Sequence, residues 1–113
     1  MEMKPITADL SVSAQITVAD IQTIKDAGFR SIICNRPDGE GPDQPTFSDI
    51  ENAALSAGLE PLYQPIIAGS ISADDVTAFQ NALAALPAPV MAYCRTGNRC
   101  TMLWNLIGKA GID

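Results

Sequence analysis

Six consecutive residues, Cys94-Arg95-Thr96-Gly97-Asn98-Arg99, bring together a thiol, two arginines and two turn-forming residues. They follow a fully apolar run, Val90-Met91-Ala92-Tyr93, and precede a longer apolar stretch, so they read as the link between a buried strand and a helix. Such a link is an anion cradle. Gly97 and Asn98 both tolerate positive φ, so the loop can curl until successive N–H groups converge. A helix starting near Cys100 adds its positive pole. Arg99 can offer two parallel donors to an oxyanion. The same field favours the thiolate of Cys94 and brings its pKa into roughly the 3.5–7.5 range of activated cysteines.

A plainer reading stands beside this one. A cysteine at a strand end is commonly a small buried hydrophobe, and Gly-Asn can be an ordinary turn. Two of the chain's four arginines flank this cysteine, which favours the functional reading. Arg95 is expected to lean outward and steer an anion inward, or to be a surface residue without a role. Cys100 is either a weak helix cap or a second thiol able to resolve an oxidised Cys94. Cys34 is expected to end a buried strand and pack. Arg36 and Asp38 are candidates for the rim of the site. Asp38-Gly39 read equally well as a turn, and Arg36 as half of a surface ion pair.

The remaining composition narrows the chemistry. The 113 residues include no histidine, which removes Ser-His-Asp and Cys-His hydrolases and zinc sites that need imidazole. Thirteen acidic against seven basic residues leave a charge of −6, which argues against nucleic acid as a partner. No cofactor or metal is expected. The apolar stretch Ala82–Cys94 is broken by Pro87 and Pro89, and the N-terminus lacks a leader pattern, so neither membrane nor export is expected. Three cysteines at irregular spacing do not form a disulfide framework, and a reducing cytoplasm is the expected setting.

The elements that must hold this loop follow from the punctuation of the chain. One domain over residues 1–113 is expected, burying ~65% of its unfolded surface, and the 47% apolar content agrees. Leu10–Ser13 alternates with period two and reads as a short edge strand. Thr17 with Asp20, Ser48 with Glu51 and Ser72 with Asp75 resemble capping boxes opening three helices; the first two stop at Gly28 and Gly58. Ser31–Cys34 and Val90–Tyr93 are buried strands, and 62–67 is β-like with an irregular end at Pro65. Pro37–Pro45 is a loop. The last helix, from about Cys100 to Gly108, is apolar nearly all round and is expected to be central. Strands alternating with helices predict an α/β fold: a central, mostly parallel sheet of four to five strands with helices on both faces. Ligands then bind beyond the carboxyl ends of the strands, where the loops after Ile33, Ile67 and Tyr93 lie.

Cys-Arg-Thr-Gly-Asn-Arg looks like the active-site loop of rhodanese-type sulfurtransferases. More of the chain, including Leu10–Gln15, Ala27–Phe29, Ile33–Glu40 and Tyr93–Arg99, resembles the phosphatase-like domain of the beta-lactamase-hydrolase-like proteins. The Asn35-Arg36-Pro37-Asp38-Gly39-Glu40 segment is the most specific part of that match. This resemblance implies a fold like the dual-specificity tyrosine phosphatases. It also implies bacterial origin, and occurrence alone or fused to a persulfide dioxygenase of metallo-β-lactamase fold, which would then be a partner.

Two features bear on the reaction. Tyrosine phosphatases place one more residue between cysteine and arginine; here that position holds Cys100, so the loop is tighter. The resembling phosphatases carry an aspartic acid after the preceding strand, to protonate the leaving oxygen. Here that loop reads Ile66-Ile67-Ala68-Gly69-Ser70, and Asp74 and Asp75 come later, as helix-cap residues. Both features lead to sulfur transfer as the expected reaction. Cys94 would take sulfane sulfur from thiosulfate or a persulfide, hold it as a persulfide with Arg99, and pass it to a thiol, sulfite or cyanide. The alternatives are a hydrolase of phosphate esters acting through a cysteinyl-phosphate, and a non-catalytic anion- or persulfide-sensing module for a partner dioxygenase.

Overall fold

The computed structural model describes residues 1–110, with side chains to residue 107. Its elements run β1 (Met3–Thr7), β2 (Leu10–Ser13), α1 (Asp20–Asp26), β3 (Ser31–Cys34), α2 (Phe47–Ser56), β4 (Glu60–Tyr63), α3 (Ala73–Ala85), β5 (Val90–Tyr93) and α4 (Asn98–Ala110). They form one five-stranded sheet in the order β1-β2-β5-β3-β4. The pairs β2–β5, β5–β3 and β3–β4 are parallel, and β1–β2 alone is antiparallel. The expected α/β architecture is therefore present, with the fifth strand added at the antiparallel edge. Among the described residues no helix is long and apolar enough to cross a membrane.

The two faces of the sheet follow from the period of two along each strand. Leu10, Val12, Ile33, Val90 and Ala92 join Val76 and Phe79 of α3 and Cys100 and Leu103 of α4 in one core cluster. Ile32, Cys34, Met91 and Tyr93 turn the other way, onto Ile21 and Ile24 of α1 and Phe47 and Ile50 of α2. Strands covered on both faces need apolar residues at every position, which is why β3 and β5 are near-continuous apolar runs.

Four expectations change. Leu10–Ser13 is an interior strand: its alternating Ser11 and Ser13 are buried, and β1 takes the edge. The edge strand carries Pro5, which an edge tolerates because one row of N–H groups has no partner there. Helix α2 is capped by Thr46, whose side chain accepts from the Asp49 N–H, two residues before the expected cap. Strand β4 occupies Glu60–Tyr63 and pairs only with β3, so its Pro61 also sits at an edge, and Pro65 lies beyond the strand. Helix α4 is one-sided: Cys100 and Leu103 are fully buried, while Met102 is 51% exposed. It lies against α3 on one face of the sheet and is not central.

The other boxes sit close to their expected places. Ser72 and Asp75 exchange side-chain and backbone hydrogen bonds of 3.1 and 3.0 Å at the start of α3. The Asp20 carboxylate accepts from the Thr17 N–H at 2.8 Å, but it closes the turn before α1, and the helix begins at Asp20 itself.

Parallel register puts three strand ends side by side. Ser13, Tyr93 and Cys34 pair across β2, β5 and β3. The Cys94 N–H donates to the Ser13 carbonyl at 3.3 Å, the Asn35 N–H to the Tyr93 carbonyl at 2.8 Å, and the Ile66 N–H to the Asn35 carbonyl at 2.9 Å. The chains leaving β3, β4 and β5 are thus stitched together at their exits, at the carboxyl end where open parallel sheets bind ligands.

Candidate active site

The loop from Cys94 to Gly97 joins β5 to α4. Gly97 has φ +94°, and a Cβ added there would lie 3.4 Å from the Ser13 carbonyl oxygen. Glycine is therefore needed for the left-handed turn, while a Cβ would only just touch β2. Asn98, expected to share the turn, instead begins α4 with ordinary φ. The helix therefore starts two residues earlier than the sequence suggested. This places Arg99 and Cys100 in the first turn, where backbone N–H groups have no partner within the helix.

Those groups converge on sulfur. The Gly97 N–H donates to Cys94 Sγ at 3.0 Å. A hydrogen bond from the Cys100 thiol acts most strongly on Cys94, opposed by burial and assisted by the amides of Cys100, Thr96 and Arg99. Together they pull its pKa from 9.0 to about 5. Cys100 moves the opposite way, well above its ordinary value, because it supplies the proton that Cys94 accepts and because it is buried. The two thiols therefore share one proton at neutral pH. Burial also raises Cys34, which packs among the residues on the other face of the sheet.

The arginines are organised by a residue that sequence reasoning left without a role. Glu40 meets Arg99 end-on, with Nη1 to Oε2 at 2.7 Å and Nη2 to Oε1 at 2.8 Å. Arg99 Nη1 also donates to the Ile66 carbonyl at 2.9 Å. Arg36 Nε donates to the same Glu40 carboxylate at 3.0 Å, and Arg36 Nη1 to Gln15 Oε1 at 3.1 Å. Both guanidiniums are buried. The hydrogen bond from Arg99, stronger than the opposing effect of burial, brings the Glu40 carboxyl down to about 2. The loop that carries Glu40 is tied across itself by Gln44, which accepts from the Glu40 and Gly41 N–H groups and donates to the Pro37 carbonyl.

A guanidinium has five N–H groups, and these contacts use the end-on pair plus the outer Nη1 hydrogen. The remaining edge, Nε–H with the second Nη2 hydrogen, is a fork of the kind that binds oxyanions. A hydrogen bond to Cys94 adds to the rise in the Arg99 pKa, which Glu40 dominates.

Arg36, Glu40 and Arg99 border a cavity of about 680 Å³ that Gly69, Arg95 and Met102 also line; Cys94 is fully buried and is not among its lining residues. Arg95 and Thr96 are exposed at its margin, and Asn98 also lines it. The exposed Met102 thus faces the cavity. Of the two rim candidates, Arg36 lies at the cavity and Asp38 does not. Asp38 Oδ1 accepts from the Phe47 N–H at 2.8 Å, which holds the start of α2, and its own N–H donates to the Tyr63 hydroxyl. Glu40 was overlooked because its partner is 59 residues away; its only local sign is the Arg36–Glu40 spacing of four.

The Cys94 pKa makes a direct prediction. The ultraviolet thiolate absorbance of the native protein, minus that of Cys94→Ser, should titrate with a midpoint near pH 5. A midpoint above pH 8 would show that the loop does not hold the thiolate.

The model of the beta-lactamase hydrolase-like protein, phosphatase-like domain matches residues 2–112. A beta-lactamase hydrolase-like protein of Agrobacterium fabrum is 36% identical over 110 residues, or 97% of this chain, and one of Xylella fastidiosa is 38% identical over 106 residues, or 94%. The chain spans about a quarter (25%) of the length of these relatives. The crystal structure of a candidate phosphatase of Neisseria meningitidis superposes with a TM-score of 0.88 at 39% identity, covering 94% of this chain and 75% of that one. Pseudomonas aeruginosa TpbA, crystallised with phosphotyrosine, shares the fold at a TM-score of 0.72 and 15% identity, over 96% of this chain and 64% of its own.

These likenesses overturn sulfur transfer as the expected reaction, together with the rhodanese comparison: the family and the fold neighbours are phosphatase-like. Although one residue shorter than in tyrosine phosphatases, the loop still turns at Gly97 and brings amides and Arg99 to the Cys94 sulfur, so its length does not separate the two chemistries. The missing aspartic acid bears on which leaving groups can depart, not on which element is transferred.

Proposed function

The chain belongs to the family of phosphatase-like domains of beta-lactamase hydrolase-like proteins, and from that membership we propose that it hydrolyses phosphate monoesters or related phosphoryl compounds through a cysteinyl-phosphate. The observation that carries this reading is the Cys94 thiol, held at about pKa 5 by the loop amides and the Cys100 thiol, beside Arg99, whose other end is filled by Glu40. Cys94 is the nucleophile, and no base is needed because the thiol is already ionised at neutral pH. Arg99 takes two phosphoryl oxygens on its Nε–Nη2 edge, and the loop amides take the charge that develops in the transition state. Glu40 is a positioning residue: by filling the other end of the guanidinium it fixes the plane of the fork. Arg95, exposed at the margin, draws the anion into a pocket that the acidic protein as a whole would repel.

The mechanism has two displacements. The thiolate attacks phosphorus and expels the leaving group; water then attacks the cysteinyl-phosphate, and sulfur leaves as the thiolate the loop already stabilises. Steady release of inorganic phosphate and p-nitrophenol from p-nitrophenyl phosphate, blocked by orthovanadate, tests the reading. No turnover by pure protein between pH 5 and 8 would reject it.

A further inference from the structure

We infer that this site acts on phosphoryl groups whose leaving group departs as a stable anion, namely acyl phosphates, phosphoanhydrides and esters of acidic phenols, and that it discriminates against alkyl phosphates. The inference rests on the phosphatase reading and names its substrate class.

An alkoxide must be protonated as it leaves, which calls for a neutral acid facing the side of phosphorus opposite the thiolate. Among the described residues Glu40 is the one carboxyl that lines the cavity, and it is committed end-on to Arg99 and side-on to Arg36. So placed, it is ionised at any pH above about 2 and has no proton to give. The segment after β4, where the resembling phosphatases carry their acid, lines the cavity through Ala68, Gly69 and Ile71. Asp75 is held by the Ser72 N–H at the start of α3, and Asp38 by the Phe47 N–H at the start of α2. The other polar groups on the cavity wall are the Thr96 hydroxyl, the Asn98 amide and guanidiniums. None of these releases a proton at neutral pH. The Cys100 thiol keeps its proton on the side of the nucleophile.

The step balances without an acid only for weakly basic leaving groups. The Cys94 sulfur forms a bond to phosphorus, the bond from phosphorus to the leaving oxygen breaks, and that oxygen takes the electron pair away as a carboxylate, phosphate or phenolate. In the second step water adds to phosphorus, sulfur leaves with its electron pair, and the proton of the water passes to a phosphoryl oxygen of the product.

The test is a leaving-group series with the native chain: acetyl phosphate, p-nitrophenyl phosphate, phenyl phosphate and glycerol 2-phosphate. The expected kcat/KM falls steadily as the leaving group becomes more basic, and glycerol 2-phosphate is slower than p-nitrophenyl phosphate by at least about 10²–10⁴-fold, the contribution a positioned acid would have made. Glu40→Gln should lower all four rates together and leave their ratios unchanged. Comparable rates on p-nitrophenyl and glycerol phosphates would overturn the inference and leave the phosphatase reading standing. A Glu40→Gln loss confined to the basic leaving groups would also overturn it, by making Glu40 the acid. Cys94-independent turnover of every compound would reject the phosphatase reading, and the inference with it.

Discussion

Cys94→Ser should abolish turnover of p-nitrophenyl phosphate, by on the order of 10⁴-fold or more, while the protein remains folded. A serine hydroxyl at this position keeps the hydrogen bond from Gly97 but has no ionised form near neutral pH, and the loop cannot lower its pKa far enough. The variant should also lose a pH-dependent part of the stability. The native thiol has its pKa depressed from 9.0 to about 5, so its ionisation stabilises the fold fully above about pH 9. That contribution declines as the pH falls and is gone below about pH 5. The stability gap between native protein and Cys94→Ser, measured by urea unfolding, should therefore widen from pH 5 to pH 9. A gap that narrows over this range would mean that the neutral thiol is the form the fold prefers.

Arg99→Ala should cost about 10³-fold or more in kcat/KM, since the loss of even one oxyanion donor costs about 10²–10³-fold and this residue supplies a charged fork. It should also destabilise the protein by roughly 1–3 kcal/mol, because the Ile66 carbonyl and the Glu40 carboxylate both lose their donor. The lower end applies to the carboxylate, which keeps Arg36 and whose side chain is 27% exposed. Adding Glu40→Gln to Arg99→Ala should restore part of the stability and none of the activity. Arg99→Lys should rescue neither fully, because one ammonium cannot hold Glu40 and two phosphoryl oxygens in fixed directions. Equal activity in the lysine variant and the native protein would mean that charge alone matters, and that the end-on pair with Glu40 positions nothing.

The parts of the site visible in the sequence are those whose cause is local. The loop from Cys94 to Arg99 could be found because a thiol, a glycine and an arginine need their spacing within a single turn. Strands β3 and β5 could be placed to the residue because burial on both faces makes them apolar runs, with Ser31 at the start of β3 the one polar position. The box at Ser72 and Asp75 is likewise a contact over three residues. What could not be read depends on distant chain. Glu40 becomes part of the site only because the loop after β3 folds back against α4. The interior position of β2 depends on β1, whose Pro5 disguises it as a loop. The solvent side of α4 depends on which residues the cavity takes, and Met102 goes there in place of the core. The reaction itself was misjudged because loop length was given chemical meaning that its geometry does not carry.

The central claim is that Cys94 becomes covalently bonded to phosphorus during turnover. Mass measurement of the intact chain, after a rapid denaturing quench during hydrolysis of p-nitrophenyl phosphate, tests it most directly. The account predicts a fraction of chains heavier by one phosphoryl group, with the modification mapped to Cys94 and absent from Cys94→Ser. Sustained turnover with no phosphorylated chain, or a phosphoryl group carried on another residue, would contradict it.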